Sequence, residues 1–181
     1  MFIDGELASL GPLYPDRADF VGSMERWVND NDATRLMFTG LMPTSFSALR
    51  SMWTEDVEDP NTVAFSVYST GPLIGTAGLY SINWIARTAE FRIFLGNKEY
   101  WGKGIGTEVT RLVVRYGFER LNLHNIWLGV NVENRAAVRV YEKAGFTHEG
   151  RLRQCFYRNN RYYDVFRMSL LREEWKCTEQ Q

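Results

Sequence analysis

At 181 residues, 45% hydrophobic and 14% aromatic, the chain is long and apolar enough for a single globular domain that buries about two thirds of its unfolded surface. Twenty-one basic against 22 acidic residues leave a net charge of -1, so no duplex-binding footprint is evident in the totals and any acidic ligand needs a local pocket. No apolar run approaches a membrane span, Met1–Ala8 carries Asp4 and Glu6 where a leader would be apolar, and Cys155 and Cys177 lack metal-ligand spacing. The expectation is a cytoplasmic chain with no nucleic-acid partner, no membrane partner and no metal.

Glu6–Leu13 reads as a first strand, ended by Gly11, Pro12 and Pro15. Asp16 then caps a helix to about Val28, with Ala18, Val21 and Met24 on one side, and Asp30, Asn31 and Asp32 break it. After Pro43, Thr44 or Ser45 caps a second helix through Phe46, Leu49, Met52 and Trp53, which stops before Asp59-Pro60. Thr62–Tyr68, Ile74–Ile85 and Thr88–Leu95 form an antiparallel meander.

Gly102, Gly104 and Gly106 follow that third strand at every second position. Such closely spaced glycines turn the backbone tightly and point successive N–H groups into one concavity, to which the helix that follows adds its positive end. This is an anion site, with Lys103 either reaching the anion or staying in solvent. No Gly-Lys-Ser/Thr ends a P-loop run, and G-x-G-x-G departs from the dinucleotide G-x-G-x-x-G, although Glu133 would imitate the ribose-binding acid of such a fold.

The helix after the glycines carries Ile105, Val109, Leu112, Val113 and Tyr116 on one stripe, opposite Glu108, Arg111 and Arg115. Asn125–Val132 is a strand with Ile126, Leu128 and Val130 on one face, and Asn134 caps a helix of Ala137, Val140, Tyr141 and Ala144 that Gly145 ends. Thr147–Arg158 and Arg161–Met168 form a hairpin across Asn159-Asn160, and the tail Glu173–Gln181 is polar and expected to fray.

The run WGKGIGTE, followed by NVENRAAVRVYEKAGF, resembles the two cofactor-binding motifs of the GNAT superfamily of acetyl-CoA-dependent N-acetyltransferases, with the matching order of elements extending from about Val63 to Leu170. Within it the chain is similar to the ribosomal-protein N-terminal and the spermidine acetyltransferases. The resemblance implies an α/β (α+β) fold with a mixed, mostly antiparallel central sheet, flanking helices and a splayed parallel strand pair that binds acetyl-CoA. It implies pantetheine on the backbone of Phe94 and Leu95, pyrophosphate on Gly102, Lys103, Gly104, Ile105, Gly106 and Thr107, and a cofactor contact from Asn134 besides its cap. Trp101 stands where the family pattern has Arg or Gln, so that side-chain contact is lost and Trp101 is expected to pack over the loop.

The resemblance also implies direct transfer to a primary amine in a ternary complex, with Tyr141 as the acid that protonates the coenzyme A sulfur. Read alone, in the apolar stripe of its helix, Tyr141 is a core tyrosine. Glu90 is the candidate base or, alternatively, the ion-pair partner of Arg92. His124 and His148 match no family site. For the acceptor, Trp84, Trp127, Phe156, Tyr157, Tyr162 and Tyr163, with Glu90 or Asp164 nearby, would suit a cationic amine, or would be core or a homodimer surface. Arg151, Arg153, Arg158 and Arg161 would attract a phosphorylated substrate or form a solvated face. Small-molecule amine and protein N-terminus both stay open as acceptors, and an acyl-CoA-binding module without turnover is the alternative of a different class.

Overall fold

The computed structural model describes residues 1–179. The Cys177 side chain and the end of the tail, Gln180 and Gln181, lie outside the described part. Eight strands form one sheet: β1 (Ile3–Asp4), β2 (Ser9–Pro12), β3 (Val63–Tyr68), β4 (Leu73–Asn83), β5 (Thr88–Leu95), β6 (Asn125–Asn131), β7 (Thr147–Arg158) and β8 (Arg161–Leu171). Their order is β1-β2-β3-β4-β5-β6-β8-β7, and every neighbouring pair is antiparallel except β5 with β6. Among the described residues six α-helices flank it, α1 (Ala18–Val28), α2 (Asn31–Thr34), α3 (Phe46–Glu58), α4 (Ile105–Glu119), α5 (Arg135–Lys143) and α6 (Arg172–Glu179), with a short 3-10 turn at Lys98–Tyr100. Among the described residues no helix is long and apolar enough to cross a membrane.

The glycine-led helix α4 buries Ile105, Val109, Leu112, Val113 and Phe118 against the sheet. Gly117 permits that close approach, since a Cβ there would lie 2.8 Å from Ile126 Cδ1 and 2.9 Å from Leu79 Cδ1. Beside α4, α5 lays the Tyr141 ring edge-on to Phe91, with centroids 6.2 Å apart. A second cluster joins α1 and α3 through Phe20, Val21, Met24, Leu49 and Trp53. Asn159 and Asn160, at φ 51° and 60°, make the β7–β8 turn a tight one of the left-handed kind their spacing predicts.

Four expectations change. The expected strand Glu6–Leu13 shortens to β2, an unexpected β1 precedes it, and the turn between them is held by Glu108, which accepts the Leu7 N–H at 2.9 Å. Asp16 does not cap α1: Arg17 holds the N-cap position without a side-chain cap, and Asp16 accepts from Arg50 at 2.6 Å. Asp30, Asn31 and Asp32 do not merely end α1, because Asp30 caps α2 by accepting from Asp32 N at 2.9 Å. The tail forms α6, with Trp175 against Phe118 at a centroid separation of 5.4 Å.

The parallel seam decides where a site forms. β5 meets β6 only at Thr88↔Asn125, Ala89↔Ile126 and Glu90↔Trp127, and the strands then part, while β6 stays paired with β8 through Asn131↔Val165.

Candidate active site

Where the strands part, a cavity of about 1090 Å³ opens. Strand parity decides which backbone groups reach it. The Gly96 N–H donates to Ile74 O at 3.0 Å across the β4 side, and Arg87 O accepts from the β6 side. By antiparallel alternation, Ile93 and Leu95 therefore turn their N–H and C=O toward the gap, and Phe94 turns its own toward Thr76. Phe94 thus reaches the cavity with its side chain, and the free edge on β5 belongs to Ile93 and Leu95. Trp101 packs over this edge, its indole N–H donating to Leu95 O at 2.7 Å.

At one end lies the glycine loop. Gly102 and Gly104 sit at φ 73° and 84°, a left-handed backbone that costs other residues about 1 kcal/mol or more. Gly104 is the N-cap of α4; Thr107 N–H donates back to Gly104 O at 3.0 Å, which leaves the Ile105 and Gly106 amides at the start of the helix without a helical acceptor. Gly102, Gly104, Gly106 and Thr107 line the cavity. Lys103 and Ile105 do not: the Lys103 ammonium lies 5.4 Å from the Tyr100 ring centroid, and Ile105 is buried in the core. Only their backbone is available to an anion. Glu108, the one acid in this first turn, bonds to Leu7 and so leaves the helix terminus open to another anion.

β6 and α5 supply the facing wall. Asn134 accepts from Ala137 N at 3.2 Å through Oδ1, so capping and a ligand contact from Nδ2 are compatible. Asn131, 1% exposed, accepts from Glu133 N at 3.0 Å, and its buried Nδ2 has no partner among the described residues. That orphan donor, behind the cavity wall that Asn131 helps form, was not anticipated. Its signal in the sequence is an asparagine closing an otherwise apolar strand. Tyr141 lines the same cavity, 8% exposed, and burial pushes its phenol pKa upward.

Glu90, at the other end, pairs with Arg92 at 2.5 Å, and the Arg92 guanidinium stands 4.7 Å from the Tyr80 ring centroid. Asp56 of α3 lies beside them, its carboxyl pKa raised by desolvation against the opposing pull of Arg92. Trp53, also on α3, presents a buried indole N–H without a partner among the described residues. The aromatic wall here is Trp53, Tyr80, Phe94 and Phe38, and none of the expected Trp84, Trp127, Phe156, Tyr157, Tyr162 and Tyr163 lines the cavity. The expected arginine cluster is dispersed: Arg151 pairs with Asp164 at 2.6 Å, Arg161 with Glu133 at 2.7 Å, and Arg158 is buried. His148 contacts Glu142 at 3.1 Å, away from the cavity.

Comparison with known proteins matches this architecture. The family model described as Acetyltransferase (GNAT) domain matches residues 11–147. Spermidine N(1)-acetyltransferase of Escherichia coli K12 is 33% identical over 147 residues, covering 81% of this chain and 78% of that protein. A putative ribosomal N-acetyltransferase of Bacillus subtilis is 32% identical over 124 residues, 68% of this chain and 67% of its own. The crystal structure of spermidine N-acetyltransferase from Vibrio cholerae in complex with CoA and spermine superposes with a TM-score of 0.84 at 34% identity, over 94% of this chain and 98% of that one. The chain therefore belongs to the GNAT family, and it is an N-acetyltransferase that moves an acetyl group from acetyl-CoA to an amine.

Proposed function

We propose that the cavity binds both substrates at once and that transfer is direct, onto a primary amine with an apolar stem. One observation carries this reading. A single cavity joins the glycine loop, a strand edge that has parted from β6 and a buried phenol to a half containing Glu90 and Asp56. The amides of Gly102–Gly106 would hold the pyrophosphate, the gap-facing edge at Ile93 the pantetheine amides as an added strand would, and Nδ2 of Asn134 a carbonyl oxygen.

Acetyl-CoA supplies the activated acetyl group. The Leu95 N–H polarises the thioester carbonyl, the amine nitrogen forms the new C–N bond, and the C–S bond breaks. Glu90 takes the ammonium proton through water, and Tyr141 gives its proton to the departing thiolate. Because burial makes Tyr141 a weaker acid, it donates only as the thiolate forms, and solvent restores its proton. Asp32, Asp56 and Glu90 outnumber Arg35 and Arg92 in the acceptor half, and Leu36, Phe38, Met52 and Trp53 supply apolar walls, which suits a cation on an apolar stem. Spermidine and a peptide N-terminus both have that character.

The test is thiol release from acetyl-CoA with spermidine and with peptides of free N-terminus, beside Tyr141→Phe. The expected result is turnover of one amine class, with kcat about a hundredfold lower in the variant. A variant near the wild-type rate removes Tyr141 from the chemistry.

A further inference from the structure

Arg158, the last residue of β7, is 6% exposed and meets no carboxylate among the described residues. Its guanidinium instead sits within a ring of oxygens drawn from one segment, residues 31–40. Nη1 donates to the carbonyls of Thr34 at 2.7 Å, Met37 at 3.3 Å and Thr39 at 2.8 Å. Nη2 donates to the Gly40 carbonyl at 2.8 Å, Thr34 Oγ1 at 3.0 Å and Asn31 Oδ1 at 3.4 Å. A buried charge without a counter-ion persists only when its donors find acceptors, and here one segment supplies them to both Nη groups. Gly40 closes the ring: at φ 72° it folds back so far that a Cβ would lie 2.6 Å from Thr34 Oγ1.

The dependence runs the other way too. This segment forms no strand, and its apolar anchors are Leu36, against the cluster of Phe156, Tyr163 and Val165, and Phe38, edge-on to Phe156 at 5.1 Å. Yet it is the outer wall of the acceptor half, carrying Asp32, Arg35, Met37 and Phe38 to the cavity. The Phe38 ring comes within 3.9 Å of where a Cβ on Gly129 of β6 would stand, so it reaches across to the cleft.

We propose that Arg158 is a positioning residue for the acceptor amine. It sets the depth of the 31–40 wall and leaves the acetyl-CoA half, built on β5, α4 and α5, untouched. The idea rests on the assignment of the acceptor half given above. Lysine is no equivalent, because an ammonium offers three donors from one point where the planar fork meets six acceptors in two rows.

The test compares wild type with Arg158→Met, Arg158→Lys and Phe38→Ala. The KM for spermidine, or for an alanine-terminated peptide if that is the amine turned over, is measured beside the KM for acetyl-CoA, together with amide hydrogen exchange of residues 31–40. Arg158→Met is expected to raise the amine KM at least about tenfold, to hold the acetyl-CoA KM within about twofold, and to speed exchange in 31–40. Arg158→Lys should lie between, and Phe38→Ala should reproduce the KM split with exchange near wild type. Equal shifts in both KM values, or a lower melting temperature with no change in the KM ratio, would overturn the proposal. Should Arg158→Met not fold, the lysine and Phe38 variants decide it by the same two readouts. Wild type that turns over neither amine would instead count against the acceptor assignment, while loop exchange in Arg158→Lys still decides whether the side chain holds the wall.

Discussion

Tyr141 carries the sharpest consequence of burial. Removing a phenol from water penalises its anion, so the proton stays on beyond the ordinary tyrosine range near about pH 10. The amine, in contrast, must lose a proton to attack. The kcat–pH profile should therefore rise with pH and show no descending limb below about pH 9. A descending limb there that Tyr141→Phe abolishes would mean the phenol is not desolvated as described. Much of the backbone geometry at the glycine-loop end of the cavity was legible at this scale because its signals are local. Positive φ demands glycine at positions 102 and 104, and the cap position demands an asparagine-like residue at position 134. Trp53, Asp56, Tyr80 and Asn131 were not legible as site residues. They come from α3, β4 and β6, and nothing in their own surroundings distinguishes them from packing until the sheet assembles.

At the scale of elements, α3 matters because one of its faces walls the acceptor half. Ser45 starts it, accepting from Ala48 N at 3.3 Å. Ser45→Ala should cost about 1 kcal/mol, read as a lower denaturant midpoint with an unchanged m-value. The serine cap after Pro43 was readable, and so were the stripe of α4 and the Asn159-Asn160 hairpin. The segment at residues 30–34 was not, because an aspartate that closes one helix has the same chemistry as one that opens the next. Asp30 does open one, and it is also fastened to Lys98 at 2.7 Å, a contact from a distant turn that no local pattern carries. The tail failed for a related reason: Trp175 finds Phe118 only in the folded molecule.

At the scale of the whole molecule, a ligand lying in the gap touches both sides of a seam held by three residue pairs. Such a ligand binds the folded state alone. Coenzyme A at about a hundredfold over its dissociation constant should add about 2.7 kcal/mol, a rise in Tm of roughly 5–10 °C for a chain this size. A thermal scan against coenzyme A concentration checks this, and a Tm indifferent to the ligand would contradict the cleft assignment.

The seam also divides the chain in time. Strands β1 to β5 and helix α4 all precede residue 120, and β6 to β8 with α5 all follow it, so each side of the sheet is one continuous stretch of sequence. During synthesis the glycine-rich turn leaves the ribosome first, and Asn131, Asn134 and Tyr141 arrive on the later stretch. β6 then finds its antiparallel partner only when β8 emerges. A nascent chain that stops before β6 can thus hold the glycine loop without the facing wall, and the cleft is complete only once β8 has emerged.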